Sequence, residues 1–195
     1  MLQGVLLDLV PYVERFRAKE VEWINGPMGE WWGMDRLLSR AQNQRFHEEQ
    51  ESQPDKGRFV RFGMLTKDGT PIGSFALMHI DPYHRKAEVG AGIGEPAYWG
   101  GGYGSDAMLL IIEYAFDWLD LRRLYLTTLG HNVRAQRQVE KCGFRKEGAR
   151  RRWLYQNHVF HDMLMYGLLR DEWPGRAALV EQLGLRDRAK QPDAV

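Results

Sequence analysis

Apolar residues recur along this chain at two spacings, and each change of spacing marks a change of element. Met108, Ile111, Ile112, Ala115, Phe116 and Leu119 fall at i, i+3, i+4, i+7, i+8 and i+11, with Leu109 and Leu110 widening the stripe. That pattern predicts a well-buried helix over Ala107 to Leu119. Upstream, Gln3 to Val10 reads as a strand ending at Pro11, and Tyr12 to Ile24 as a helix stopped by Asn25-Gly26-Pro27. Met28 to Gly33 reads as a loop. Asp35 can cap a helix from Arg36 to about Gln50, followed by a loop at Ser52 to Gly57. Phe59 to Thr66 and Pro71 to Ile80 are strands joined by a hairpin turn centred on Asp68-Gly69. Lys86 to Gly94 is the next strand, rich in small residues, which marks a bulge or the close approach of a ligand.

Beyond the long helix, Arg123 to Thr128 is β-rich. Asn132 can cap a helix whose inner face is Ala135, Val139 and Cys142, and Gly143 fits its C′ position. Phe144 to Tyr155 and Val159 to Leu169 form a final hairpin turning at Gln156-Asn157-His158. A short helix follows from Pro174, and Arg186 to Val195 reads as a frayed polar tail. This order predicts an α+β fold with a mixed sheet, one domain over residues 1–173 and a helix and tail over 174–195.

Between the strand ending at Gly94 and the buried helix lies Trp99-Gly100-Gly101-Gly102-Tyr103-Gly104-Ser105-Asp106. Glycines turn sharply and leave backbone N–H groups uncovered. A helix starting where they end adds unpaired N–H groups and the positive end of its dipole. The combination suits an anion, most naturally phosphate. No lysine follows the glycines, so this is not a P-loop, and the Rossmann fingerprint fits only leniently.

The segment resembles the GNAT superfamily of N-acetyltransferases. Trp99 to Gly104 resembles its acetyl-CoA pyrophosphate loop, R/Q-x-x-G-x-G/A. Asn132, Ala135 and Lys141-Cys142-Gly143-Phe144 resemble its N-x-x-(S/A) … Y-E-K-x-G-F segment. The likeness covers roughly residues 1 to 173, most specifically 88 to 172. It is nearest to ribosomal-protein N-terminal and spermidine acetyltransferases.

The resemblance implies a mostly antiparallel sheet whose central strand pair splays to admit the pantetheine arm. It implies acetyl-CoA as co-substrate and a primary amine, on a small molecule or a peptide N-terminus, as acceptor. It places Trp99, Gly100, Gly101, Gly102, Tyr103, Gly104, Ser105 and Asn132 at the cofactor, and the Ile93 and Gly94 N–H groups at the thioester carbonyl. Trp31, Trp32 and Glu30 fall in a segment bordering the acceptor. Two departures stand out. Trp99 and Gly101 replace basic or amide side chains, and Val139 stands where many members carry tyrosine, so no leaving-group acid is evident.

Glu88 is the candidate general base; a plain surface carboxylate is the competing reading, and the sequence does not separate them. Asp106 suits the helix dipole and falls close to the expected phosphates. Arg137 and Lys141 read as solvated helix charges. His158 and His161 are separated oddly for one strand face and no cysteine or carboxylate set accompanies them, so no metal site is expected.

Composition narrows the partners. With 27 basic and 26 acidic residues the net charge is +1, which argues against a broad nucleic-acid footprint. The single cysteine suits a reducing cytoplasm, and no apolar run is long enough for a membrane helix. A homodimer is expected. The alternative to an enzyme is an acyl-CoA-binding module without turnover, motivated by Val139; a dinucleotide-binding redox domain is the third reading.

Overall fold

The computed structural model describes residues 1–32, 37–52 and 58–189. Eight strands form one sheet in the order β1-β2-β3-β4-β5-β6-β8-β7. They are β1 (Leu2–Gln3), β2 (Leu7–Pro11), β3 (Val60–Thr66), β4 (Pro71–Asp81), β5 (Lys86–Ile93), β6 (Arg123–Leu129), β7 (Arg145–Gln156) and β8 (Val159–Leu169). The helices are α1 (Glu14–Asn25), α2 (Pro27–Trp31), α3 (Arg40–Ser52), α4 (Tyr103–Glu113), α5 (Val133–Lys141), α6 (Arg176–Gln182) and α7 (Leu185–Ala189). Every strand pair is antiparallel except β5 with β6. The expected mixed, mostly antiparallel sheet is therefore present.

The predicted first strand is two, because the chain turns between them with the Gly4 N–H on the Leu7 carbonyl at 2.9 Å. Met28 to Gly33, expected as a loop, contains α2: Pro27 occupies a first-turn position, where its missing N–H is not needed. The Asp35 cap and the start at Arg36 lie outside the described residues, and the described helix there begins at Arg40. α4 begins at Tyr103, earlier than the apolar stripe, and widens into a π-helical turn over Tyr114–Trp118. The tail is helical as far as Ala189; residues 190–195 lie outside the described set. Leu179, Val180 and Leu185 of α6 and α7 sit in the main core, so the helical segment expected from Pro174 packs with the rest of the fold.

α4 is buried from Asp106 to Ile112 and anchors that core against the inward residues of β2, β4, β5, β6 and β8. A smaller cluster of Val10, Phe16, Trp23 and Met28 carries α1 and α2. The glycines of β5 have a packing reason here. A Cβ on Gly94 would fall 2.0 Å from the Trp23 ring, and one on Gly92 would fall 2.5 Å from Trp32. Only bare backbone lets those indoles lie this close to the strand. The expected close approach is thus made by the chain's own tryptophans.

α5 ends as its sequence predicts. Gly143 has φ 101°, the Phe144 N–H reaches the Val139 carbonyl at 3.1 Å and the Gly143 N–H the Glu140 carbonyl at 3.0 Å. This is a Schellman ending, in which glycine takes the left-handed position.

Candidate active site

β5 and β6 pair only through Lys86–Arg123, Ala87–Leu124 and Glu88–Tyr125, and then part. Which peptide groups face the resulting gap follows from the other edge of β5. The Gly94 N–H donates to the Ile72 carbonyl on the β4 side at 2.8 Å. Alternation then turns the even-numbered peptides toward β4 and those of Ala91 and Ile93 toward the gap. Gly94, expected as a carbonyl-polarising donor, is therefore engaged elsewhere, while Ile93 faces the gap. Ala91, which sequence reasoning passed over, faces it too. It lies three residues from Glu88, about 10 Å, against about 16 Å for Ile93.

Both gap-facing carbonyls already have partners. The Trp32 indole N–H donates to the Ala91 carbonyl at 3.1 Å, and that of Trp99 to the Ile93 carbonyl at 2.8 Å. Trp31 lies beside this edge, its ring 5.6 Å from that of His131, which in turn is 4.1 Å from His161. Burial, then the neighbouring His161, hold the His131 imidazole toward its neutral form. Glu30 is tied to the β7–β8 turn: its carbonyl accepts from Gln156 Nε2 at 2.9 Å and its Oε1 from Asn157 Nδ2 at 3.4 Å. α2 and the hairpin tip thus stand over one face of the gap.

Glu88 shares a sheet face with Gly90 and Gly92, directly across from Tyr125 at the last β5–β6 pair. Its Oε2 lies 3.0 Å from His79 Nδ1. Burial, followed by the charge of Glu88, raises the Tyr125 phenol above its ordinary pKa, so it keeps its proton at neutral pH.

The glycine loop follows at the mouth of the gap. Gly100 and Gly102 have φ of 87° and 96°, a region that side chains disfavour. Asp106 is the first α4 residue whose N–H closes a helical bond, onto the Gly102 carbonyl at 2.9 Å. Among the described residues, none accepts from the N–H groups of Gly101, Gly102, Tyr103, Gly104 or Ser105. Five such donors at a helix start fit an anion.

The loop's side chains carry other duties. Tyr103 packs edge-on against Tyr98, and Ser105 lies beside the Cys142 thiol. Cys142 is fully buried and its thiol is pushed up to about 12 by burial, which makes it a core residue. Asp106 turns away from the loop, contrary to expectation: its Oδ2 accepts the Leu6 and Leu7 N–H groups at 2.7 and 3.3 Å. Asn132 caps α5, its Oδ1 accepting the Ala135 N–H at 3.1 Å.

Two arginines flank the loop, and neither was singled out from the sequence. Arg134, in the first turn of α5, has its guanidinium carbon 3.8 Å from the Trp99 ring centre and 5.4 Å from that of Trp31. On the opposite side, Arg188 Nη1 donates to the Gly100 carbonyl at 3.3 Å, and Leu185 packs beside Gly102.

Residues 6–145 match the acetyltransferase (GNAT) domain. The chain belongs to the GNAT acetyltransferases. Over 111 residues it is 36% identical to the putative ribosomal N-acetyltransferase YdaF of Bacillus subtilis (strain 168), covering 57% of this chain and 60% of that protein. The chain thus spans less than two thirds of that relative's length. The fold is shared with spermidine N-acetyltransferase from Vibrio cholerae, solved with CoA and spermine: TM-score 0.78, 21% identity, 86% of this chain and 97% of that one. It is shared too with Mycobacterium smegmatis RimJ, solved with CoA-disulfide: TM-score 0.77, 19% identity, 92% and 93% covered.

Proposed function

We propose that this chain transfers the acetyl group of acetyl-CoA to a primary amine, on a peptide N-terminus or a small molecule. The observation that carries this reading is the parting of β5 and β6 beside five N–H groups, leading into α4, that have no acceptor among the described residues. A slot open to backbone hydrogen bonding, next to an anion cradle, matches a ligand with an amide arm and a pyrophosphate.

Acetyl-CoA supplies the thioester. The loop N–H groups hold its phosphates, Asn132 borders its arm, and a gap-facing N–H, Ala91 or Ile93, polarises the carbonyl. Glu88 takes the amine proton, directly or through water. Val139 is buried in the core and cannot protonate the leaving sulfur; Tyr125, across from Glu88, is the proposed donor. Trp31, Trp32 and Glu30 border the acceptor. The lone, buried Cys142 is compatible with the cytoplasm, and a homodimer belongs to the same proposal, to be read by light scattering.

The test is calorimetric titration with acetyl-CoA, CoA, NADH and ATP, followed by thiol release on a panel of amines. Binding of CoA species with thiol release on at least one amine is expected. Binding without release on any peptide or small amine would favour the non-catalytic acyl-CoA module that Val139 motivates. Affinity for NADH or ATP alone would overturn the CoA reading.

A further inference from the structure

The anion cradle has no cation of its own: Trp99, the three glycines, Tyr103, Gly104 and Ser105 are all uncharged. A pyrophosphate held by backbone dipoles alone lacks the charge-assisted bonds that make such sites strong. We propose that Arg134 supplies that charge, binding a phosphate group of the CoA nucleotide from the first turn of α5. This rests on the CoA reading above and assigns a residue to it.

Three observations carry the proposal. Arg134 is an exposed arginine with no carboxylate partner among the described residues, held against the Trp99 and Trp31 rings instead. Partial shielding by those rings lowers its pKa, with no counter-ion among the described residues to oppose the shift. Second, its position is aimed at the loop. Residues four apart share a helix face, and Gln138, one turn on, lies 2.8 Å from where a Gly104 Cβ would stand. The Arg134–Gln138 face of α5 therefore runs along the loop from Trp99 to Gly104. Third, the Trp99 face pre-orients the guanidinium plane while leaving its N–H edge available. Stacking uses the ring face, and phosphate needs the donor fork.

The test compares acetyl-CoA with S-acetyl-pantetheine, which has the thioester and arm but no nucleotide. With Arg134→Ala, calorimetric Kd and KM for acetyl-CoA are expected to rise roughly tenfold or more, the size of a lost charged hydrogen bond. Turnover of S-acetyl-pantetheine should stay at the wild-type level. Arg134→Lys should recover part of the acetyl-CoA affinity, since it keeps the charge and loses the fork. Titration with 3′-dephospho-CoA separates the two phosphate sources: a retained Arg134→Ala effect assigns the pyrophosphate, a vanished one the 3′-phosphate. Equal losses on both thioesters, or no loss on acetyl-CoA, would overturn the proposal while leaving the acetyltransferase reading intact. That reading fails separately, if the wild-type protein binds no CoA species.

Discussion

The indole N–H of Trp99 donates to the carbonyl of Ile93 at 2.8 Å, six residues back along the same chain. With Trp32 on Ala91, it gives the open edge of β5 a pair of internal partners. An unpaired strand edge is a template for any chain with amide groups, and here two side chains cover its acceptors.

A ligand lining that edge must displace or share those bonds. Titration with CoA is therefore expected to shift tryptophan emission. Trp32→Phe removes one competing hydrogen bond, about 1 kcal/mol, and should tighten CoA binding about two- to fivefold by calorimetry. Weaker binding by this variant would mean that the indole supports the slot rather than covering it.

Gly102 is constrained twice. Its φ of 96° is strained for any side chain, and a Cβ would meet Arg188, Leu185 and Leu6 at 3.1 to 3.2 Å. Gly102→Val is expected to lower stability by about 1–3 kcal/mol and to weaken CoA binding more than tenfold. Thermal melts and calorimetry on the same preparation measure both. Unchanged affinity would remove the loop from the cofactor site.

Glu88 and Tyr125 are half-buried on the sheet and stand outside the main core, so Glu88→Gln and Tyr125→Phe should leave the fold intact. Glu88→Gln should reduce kcat by about 10²–10⁴-fold, the usual worth of a positioned base, with the melting temperature unchanged. Tyr125→Phe should reduce kcat less with an activated, low-pKa thioester than with acetyl-CoA, because a better leaving group needs less help from an acid. Equal reductions on both would exclude the phenol as proton donor.

The stability of the α1 side of the sheet should depend on acid. Glu20, on the buried face of α1, is paired with His47 at 2.5 Å and with Arg61. Burial alone would raise its pKa, but His47 and Arg61 outweigh it and bring the carboxyl down to about 2, from an ordinary 4.5. A depressed carboxylate stabilises the fold above its unfolded pKa. That contribution should fade as pH falls from about 4.5 toward 2. Glu20→Gln leaves the Arg61 guanidinium without its counter-ion and should cost about 3 kcal/mol at pH 7, with a flatter acid limb in denaturant melts.

Much of the framework was legible because it rests on period and punctuation. The stripe from Met108 to Leu119, the Asp68-Gly69 turn and the Asn132 and Gly143 caps are local signals, and each stands where its chemistry puts it. α2 was missed because five residues hold too little of a period to register, and a loop and a one-turn helix look alike in letters. The Gly94 donor was misjudged because the side a peptide faces depends on its register with β4, which one strand does not encode. Arg134 was not singled out, since its partner Trp99 lies 35 residues upstream and across a loop. Asp106 followed the dipole rule only in part: its Oδ2 accepts the N–H groups of Leu6 and Leu7, about 100 residues away in sequence.

The docking of α7 behind the glycine loop has a consequence for the far end of the described chain. Leu185 and Arg188 rest on the rear of the peptides whose N–H groups form the cradle. A trans peptide points its carbonyl and its N–H in opposite directions, so the bond from Arg188 to the Gly100 carbonyl also fixes where the Gly101 N–H points. α7 acts as a built-in ligand for the loop, and linkage makes the relationship mutual. An anion settling on the front would slow hydrogen exchange in α7. Prying α7 loose would loosen the grip on the anion, so the carboxyl-terminal helix becomes a reporter of what the loop holds.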